Sequence, residues 1–247
     1  MLELSQNTTV SEIEAANSEM MKILIGTNIF REGQDASQTI GEICLNHGLH
    51  PQILINMLAK AKAPEIPDGI DPATLDNMEL MELVDHVIDD HHDFLRDRLP
   101  KIVELARKVA KERTEQYAEL HELLERIAVE LEEHLLHEEE ALFPMCRDME
   151  SVGAIQPTAC GDKVAGPIEC MKREHNDSKK DFDQIRKLTD DYHMPSDGDE
   201  DVFKLMSYLA EIDSNTMEHI YKEDMHLFPR AMDKQIELRK AQEAQNS

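Results

Sequence analysis

The sequence predicts an all-α protein: an antiparallel, up-down four-helix bundle preceded by a small helical domain. Glycine and proline are sparse, at nine and ten of 247 residues, while Glu, Leu, Ala, Lys and Met are abundant, which favours helix. Long stretches, Leu75 to Leu99 and Glu115 to Phe143, carry no turn signal. Four segments repeat apolar residues at intervals of three and four, the stripe that an amphipathic helix turns towards a core.

In chain order, residues 1–62 hold two short helical patterns, Val10 to Ile25 and Thr39 to Lys62, separated by the polar Arg31-Glu32-Gly33-Gln34-Asp35. Residues 63–76 read as a linker, because Ala63 to Pro72 contains three prolines and a glycine. The bundle is expected over residues 77–235. Its first stripe is Val84, Ile88, His92, Leu95 and Leu99; its second is Ile127, Leu131, His134, Glu138 and Leu142. The third is Ile168, Met171, His175, Ser178, Phe182 and Ile185, and the fourth Ile212, Thr216, His219, Glu223 and Leu227. A polar tail, 236–247, is expected to extend the last helix and to fray. Every stripe contains a histidine.

The second and fourth stripes are copies of one motif. His134 to Pro144 and His219 to Pro229 both read H-x3-E-x3-L-F-P. The proline, lacking an amide hydrogen, is expected to stop or kink each helix at the same height. His92 precedes His134 by 42 residues and His175 precedes His219 by 44, so the bundle reads as two similar hairpins related by a pseudo-twofold. Residues four apart share a helix face, and each copy therefore presents an imidazole beside a carboxylate.

The six candidate metal ligands are His92, His134, Glu138, His175, His219 and Glu223. Imidazole and carboxylate suit iron, manganese or zinc. Two carboxylates able to bridge favour a binuclear site, and burying both with no cation would be costly. His91 is adjacent to His92, and the stripe turns His92 inward and His91 outward. The remaining histidines, His226 among them, fall off the stripes or in loops; His86 is the nearest alternative ligand. Glu130 and Glu174 lie one turn before His134 and next to His175, where a carboxylate can fix an imidazole tautomer or shuttle a proton; the plainer reading is a solvated helix glutamate.

Charge and cysteine content narrow the partners. Twenty-six Lys and Arg against 52 Asp and Glu give a net charge of −26, which repels nucleic acid and anionic lipid. No apolar run reaches the roughly 18 residues of a membrane span. The first residues, Met1-Leu2-Glu3-Leu4-Ser5, lack the basic and apolar regions of a secretory signal. Cys44, Cys146, Cys160 and Cys170 form no CxxC pair, and reduced thiols in the cytoplasm are expected.

With these residues assembled, Met78 to Met232 resembles the hemerythrin-like domain, and more narrowly the bacterial repair-of-iron-centres (RIC, ScdA-type) family. The resemblance rests on Val84-Asp85-His86-Val87 through His92-Asp93, Glu132-Glu133-His134 through Pro144, Glu174-His175, and His219 through Pro229. The order H, HxxxE, H, HxxxE differs from the HxxxH of oxygen-carrying hemerythrins and the ExxH of ferritin-like proteins. The resemblance implies two non-haem iron ions with oxo and carboxylate bridges. It also implies a role in restoring iron–sulfur clusters damaged by nitric oxide or oxidants, by iron donation or NO handling. Expected partners are damaged iron–sulfur proteins, O2 and NO, with a homodimer as a further expectation. The alternatives are an O2 or NO sensor or storage module, or a di-iron NO reductase. In that family the small N-terminal domain carries an adjacent cysteine pair. Here the matching stretch, Gly26 to Gly33, has none, and Cys44 lies too far along to replace it.

Overall fold

The computed structural model describes residues 2, 4–27, 29–31, 34–59, 66–155 and 161–245. The end of the second N-terminal helical pattern, the first linker residues, Asn28, Glu32 and Gly33 of the cysteine-free stretch, Cys160 and the last two tail residues lie outside them. The chain divides into two compact units, Met1–Ile66 and Pro67–Ser247.

In the first unit each expected helix is broken in two. Val10 to Ile25 becomes α1 (Val10–Ala16) and α2 (Ser18–Gly26), because Asn17 leaves the helix with extended backbone, φ −167°. The second pattern becomes α3 (Ile40–Asn46) and α4 (Pro51–Leu58). Between them Gly48 takes φ +65°, open to glycine at little cost, and Pro51 starts the next helix. Both α1 and α3 begin with a capping box, Thr9 with Glu12 and Thr39 with Glu42. The two starts bond reciprocally, Val10 N to Gln38 O at 3.0 Å and Ile40 N to Thr8 O at 2.9 Å. Ile13, Leu24, Ile40 and Leu58 are fully buried between the helices.

The second unit opens with α5 (Pro72–Asp76), so the expected linker ends in a helical turn capped by Asp71. Four long helices come next. The first consists of α6 (Leu80–Val87), a π-turn (Ile88–His92) and α7 (Asp93–Glu112). The second consists of α8 (Thr114–His137), a π-turn (Glu138–Leu142) and α9 (Phe143–Ser151). The third is α10 (Ala165–Thr189). The fourth consists of α11 (Glu200–Lys222), a π-turn (Glu223–Leu227) and α12 (Phe228–Gln245), which carries the polar tail as helix. Around the bundle α7 packs on α8 and α11, and α10 packs on the same two.

Of the two expected outcomes, stop or kink, the prolines do not stop their helices: in both copies the chain continues as helix after a π-turn at the same height. Pro144 and Pro229 each sit second in the helix after a π-turn, where the missing amide hydrogen falls at a break in the α-helical ladder.

Two apolar clusters fill the bundle. One contains Leu95, Leu131, Leu135, Phe182 and Ile212; the other contains Val84, Val87, Leu142, Phe143, Met171, Leu227 and Phe228. Along every helix the stripe passes from one cluster to the other through the candidate ligand positions. Each fully buried Leu, Phe or Met contributes on the order of 1.5–3 kcal/mol, and this burial on both sides is what holds a polar layer inside.

Candidate metal centre

Within that layer the six residues converge. Ligating atoms of His92, Glu138, His219 and Glu223 lie within 4.8 Å of one another, and so do those of His134, Glu138, His175 and Glu223. Both glutamates belong to both sets. Nε2 of His134 and His92 each lie 3.3 Å from a Glu138 oxygen. Nε2 of His175 and His219 lie 3.1 and 3.3 Å from Glu223, and His219 also lies 3.6 Å from Glu138.

All six are buried, His134 being the most accessible at 4%. Yet Nε2 of His92, His175 and His219 and all four oxygens of Glu138 and Glu223 have no hydrogen-bond partner. An isolated buried carboxylate costs several kcal/mol. Four imidazole nitrogens and four carboxylate oxygens facing one another therefore fit cations placed between them.

The opposite ring nitrogens are occupied in a regular way. Nδ1 of His134, rather than of the adjacent His175, lies 2.9 Å from Glu174, a position from which a carboxylate can fix the ring's tautomer. Nδ1 of His92 lies 2.7 Å from Glu139, and Nδ1 of His175 lies 3.0 Å from Asp224. Arg96 donates to Glu139 at 2.7 Å, and Lys179 to Asp224 at 3.4 Å. Glu139 and Asp224 were not foreseen, although each directly follows the motif glutamate in its copy. Glu130 instead accepts from Arg126 at 2.8 Å and is half exposed.

The repeated Phe is explained by stacking. Phe143 lies on the His92 ring at a centroid distance of 5.5 Å, and Phe228 on His175 at 5.6 Å. Each thus clamps the lone histidine of its own hairpin.

Two histidines, His91 and His226, depart from the sequence reading. His91 is buried, with its ring stacked on His219 at 5.4 Å and 15°. The wide π-turn Ile88–His92 brings two successive residues inward, which a regular α-helix does not. Burial, then His219 and Lys222, push its pKa down to about 3, so it is neutral. His226 is buried too, on another π-turn, 3.0 Å from Asp76. His86 is half-buried and pairs with Asp90 at 3.3 Å, away from the centre.

Burial opposes charge on the central imidazoles, but the carboxylates outweigh it. Glu223 and Glu138 hold His219 up to about 9, and His134 and His175 are also raised. Burial likewise opposes charge on Glu138, yet His134 and its neighbours keep it well below the usual carboxylate range. A metal entering this layer must displace protons. Beside His134 a groove of about 420 Å³ opens between α8 and α10, lined by Glu130, Glu133, His137, Glu174 and Asp177 among others. Among the described residues no helix is long and apolar enough to cross a membrane.

Known proteins resemble this chain in sequence. A family model described as the hemerythrin HHE cation-binding domain matches residues 83–231. The chain is 27% identical over 212 residues to the iron-sulfur cluster repair protein YtfE of Musicola paradisiaca, covering 83% of this chain and 90% of that protein. It is 31% identical over 156 residues to the protein of the same name from Dickeya chrysanthemi, covering 62% and 66%. With a probable iron-sulfur cluster repair protein of Haemophilus influenzae it shares 32% over 154 residues, 61% of this chain and 65% of that one. The chain thus spans just under two thirds of these last two relatives.

Proposed function

The chain belongs to the hemerythrin HHE cation-binding family, and on that footing we propose that it is a di-iron protein serving the repair of damaged iron–sulfur clusters. His92 and His219 would hold one ion, His134 and His175 the other, and Glu138 and Glu223 would bridge the two. The observation that carries this is the sharing of both buried carboxylates by two four-residue sets. Four neutral imidazoles and two carboxylates cancel only two of the four charges of a ferrous pair, which suits a load that is released again. Two adjacent ferrous ions supply electrons and open coordination positions for a small molecule.

Iron donation to damaged iron–sulfur proteins is the function we assign, supported by the relatives named for that repair. The acidic groove beside His134 offers a divalent cation a carboxylate-lined approach. Cys44, Cys146 and Cys170 are free thiols, in keeping with the cytoplasm as the working compartment.

The test is anaerobic loading with ferrous iron, metal analysis, and incubation with a cluster-depleted dehydratase. Two iron per chain and recovery of the dehydratase are expected. Well under two iron per chain would sink the binuclear reading. Two iron without recovery would sink the donor role alone.

A further inference from the structure

The pseudo-twofold fails at one place. His92 and His175 are equivalent, and each has a carboxylate on Nδ1 with a base behind it: Glu139 with Arg96, Asp224 with Lys179. His134 and His219 are equivalent as the first residues of the two motif copies, but they are backed differently. His134 has Glu174 at 2.9 Å. The counterpart of Glu174, the residue just before the lone histidine of the other hairpin, is His91, which stacks on His219. Among the described residues no carboxylate meets Nδ1 of His219.

The surroundings show the same split. Glu130 and Glu133 face the groove beside His134. The counterpart of Glu130 across the repeat is Asn215, which donates to the Asp90 carbonyl at 3.2 Å. On the His219 side lies buried Lys222, its ammonium 3.0 Å from Asp90. The His134 side thus carries Glu130, Glu133 and Glu174, with Arg126 and Lys180 also lining its groove, while the His219 side carries His91, Asn215 and the Lys222–Asp90 pair, with Glu218 in the place of Glu133. A carboxylate on the far nitrogen makes an imidazole a stronger donor, and losing such a partner typically weakens metal binding about 10–100-fold. An imidazole carries no negative charge in any protonation state accessible here.

We propose that the two metal positions are inequivalent: His134, His175 and the bridging glutamates form the tight one, and His92, His219 and the same glutamates the weak one. His91 sets the difference as a positioning residue. This rests on the binuclear reading above and deepens it, because one ion is retained while the other is the one surrendered.

Equilibrium titration of the full chain with buffered cobalt(II) tests it, with hyperfine-shifted imidazole N–H signals reporting which position fills. Repulsion between the metals separates the two constants in any such site, so the change between variants decides. In the wild type the His134/His175 signals appear with the first equivalent. Glu174→Gln weakens the tighter constant by about 10–100-fold and leaves the weaker one in place, so that the two converge. His91→Glu tightens the weaker constant by the same order. Should His91→Glu not fold, Glu174→Gln, at a half-exposed residue, still decides. A Glu174→Gln protein with both constants unchanged, or with only the weaker one reduced, overturns the proposal while leaving two bound metals intact. Fewer than two cobalt ions per wild-type chain would instead overturn the binuclear reading.

Discussion

Glu138 touches three of the four imidazoles, and both metal sets need it. Glu138→Ala should therefore empty both positions, with affinity falling by more than the roughly 100-fold that a lost supporting hydrogen bond costs. His134→Ala should spare the His92/His219 position; metal content after desalting separates the two outcomes. Protonation gives a second test at this scale. The folded pKa of His219, about 9, exceeds its ordinary 6.5, so its contribution to the metal-free fold is complete below about 6.5 and is lost as pH rises through about 9. Glu138, held low, contributes above the ordinary carboxylate pKa of about 4.3 and is lost as pH falls well below it. The metal-free melting temperature should fall between pH 6.5 and 9, while metal affinity rises over the same range. A flat melting profile there would contradict the assignment of charge. Glu139 and Asp224 were legible in the repeat as an acid after each motif glutamate. His91 was not legible, since a 3.6-residue period places it outside.

The π-turns are the elements on which the site depends. Glu138 and Glu223 each open one, and Leu142-Phe143 and Leu227-Phe228 come at the same offset after it. The extra residue in each turn swings the downstream helix by about one α-helical step, so that Phe143 reaches the His92 ring face while Glu138 reaches its Nε2. Phe143→Ala should cost on the order of 3–5 kcal/mol in urea unfolding, since the ring is fully buried. Phe143→Leu should cost markedly less and restore metal binding. Equal losses for the two variants would show that filling the space is not what Phe143 does. Helix existence and inward stripes were readable because periodicity runs long. The π-turns and the break at Asn17 were not, because both depend on hydrogen bonds that a residue pattern leaves open, whereas the break after Asn46 was written in Gly48 and Pro51 and was passed over.

At the scale of the whole molecule, the six candidate residues and both apolar clusters flanking them lie in Pro67–Ser247. A protein lacking residues 1–66 should keep its metal stoichiometry and its optical spectrum. A loss of either would make the first unit part of the centre rather than an accessory to it. The all-helical fold was legible in the scarcity of glycine and proline and in four stripes, and the duplicated motif gave the pseudo-twofold. The break in that symmetry, an acid on one side and a histidine on the other, shows only when the two halves are brought face to face.

That each metal set takes two residues from each hairpin has a mechanical consequence. An ion held by either set ties chain segments more than 80 residues apart, as a disulfide would across a long loop. Such an ion would work as a staple that can be withdrawn. On the proposed function, giving up iron would mean more than emptying a site: it would unlock the seam between the two halves. Amide exchange along the α7–α11 and α8–α10 contacts should quicken once the load has gone.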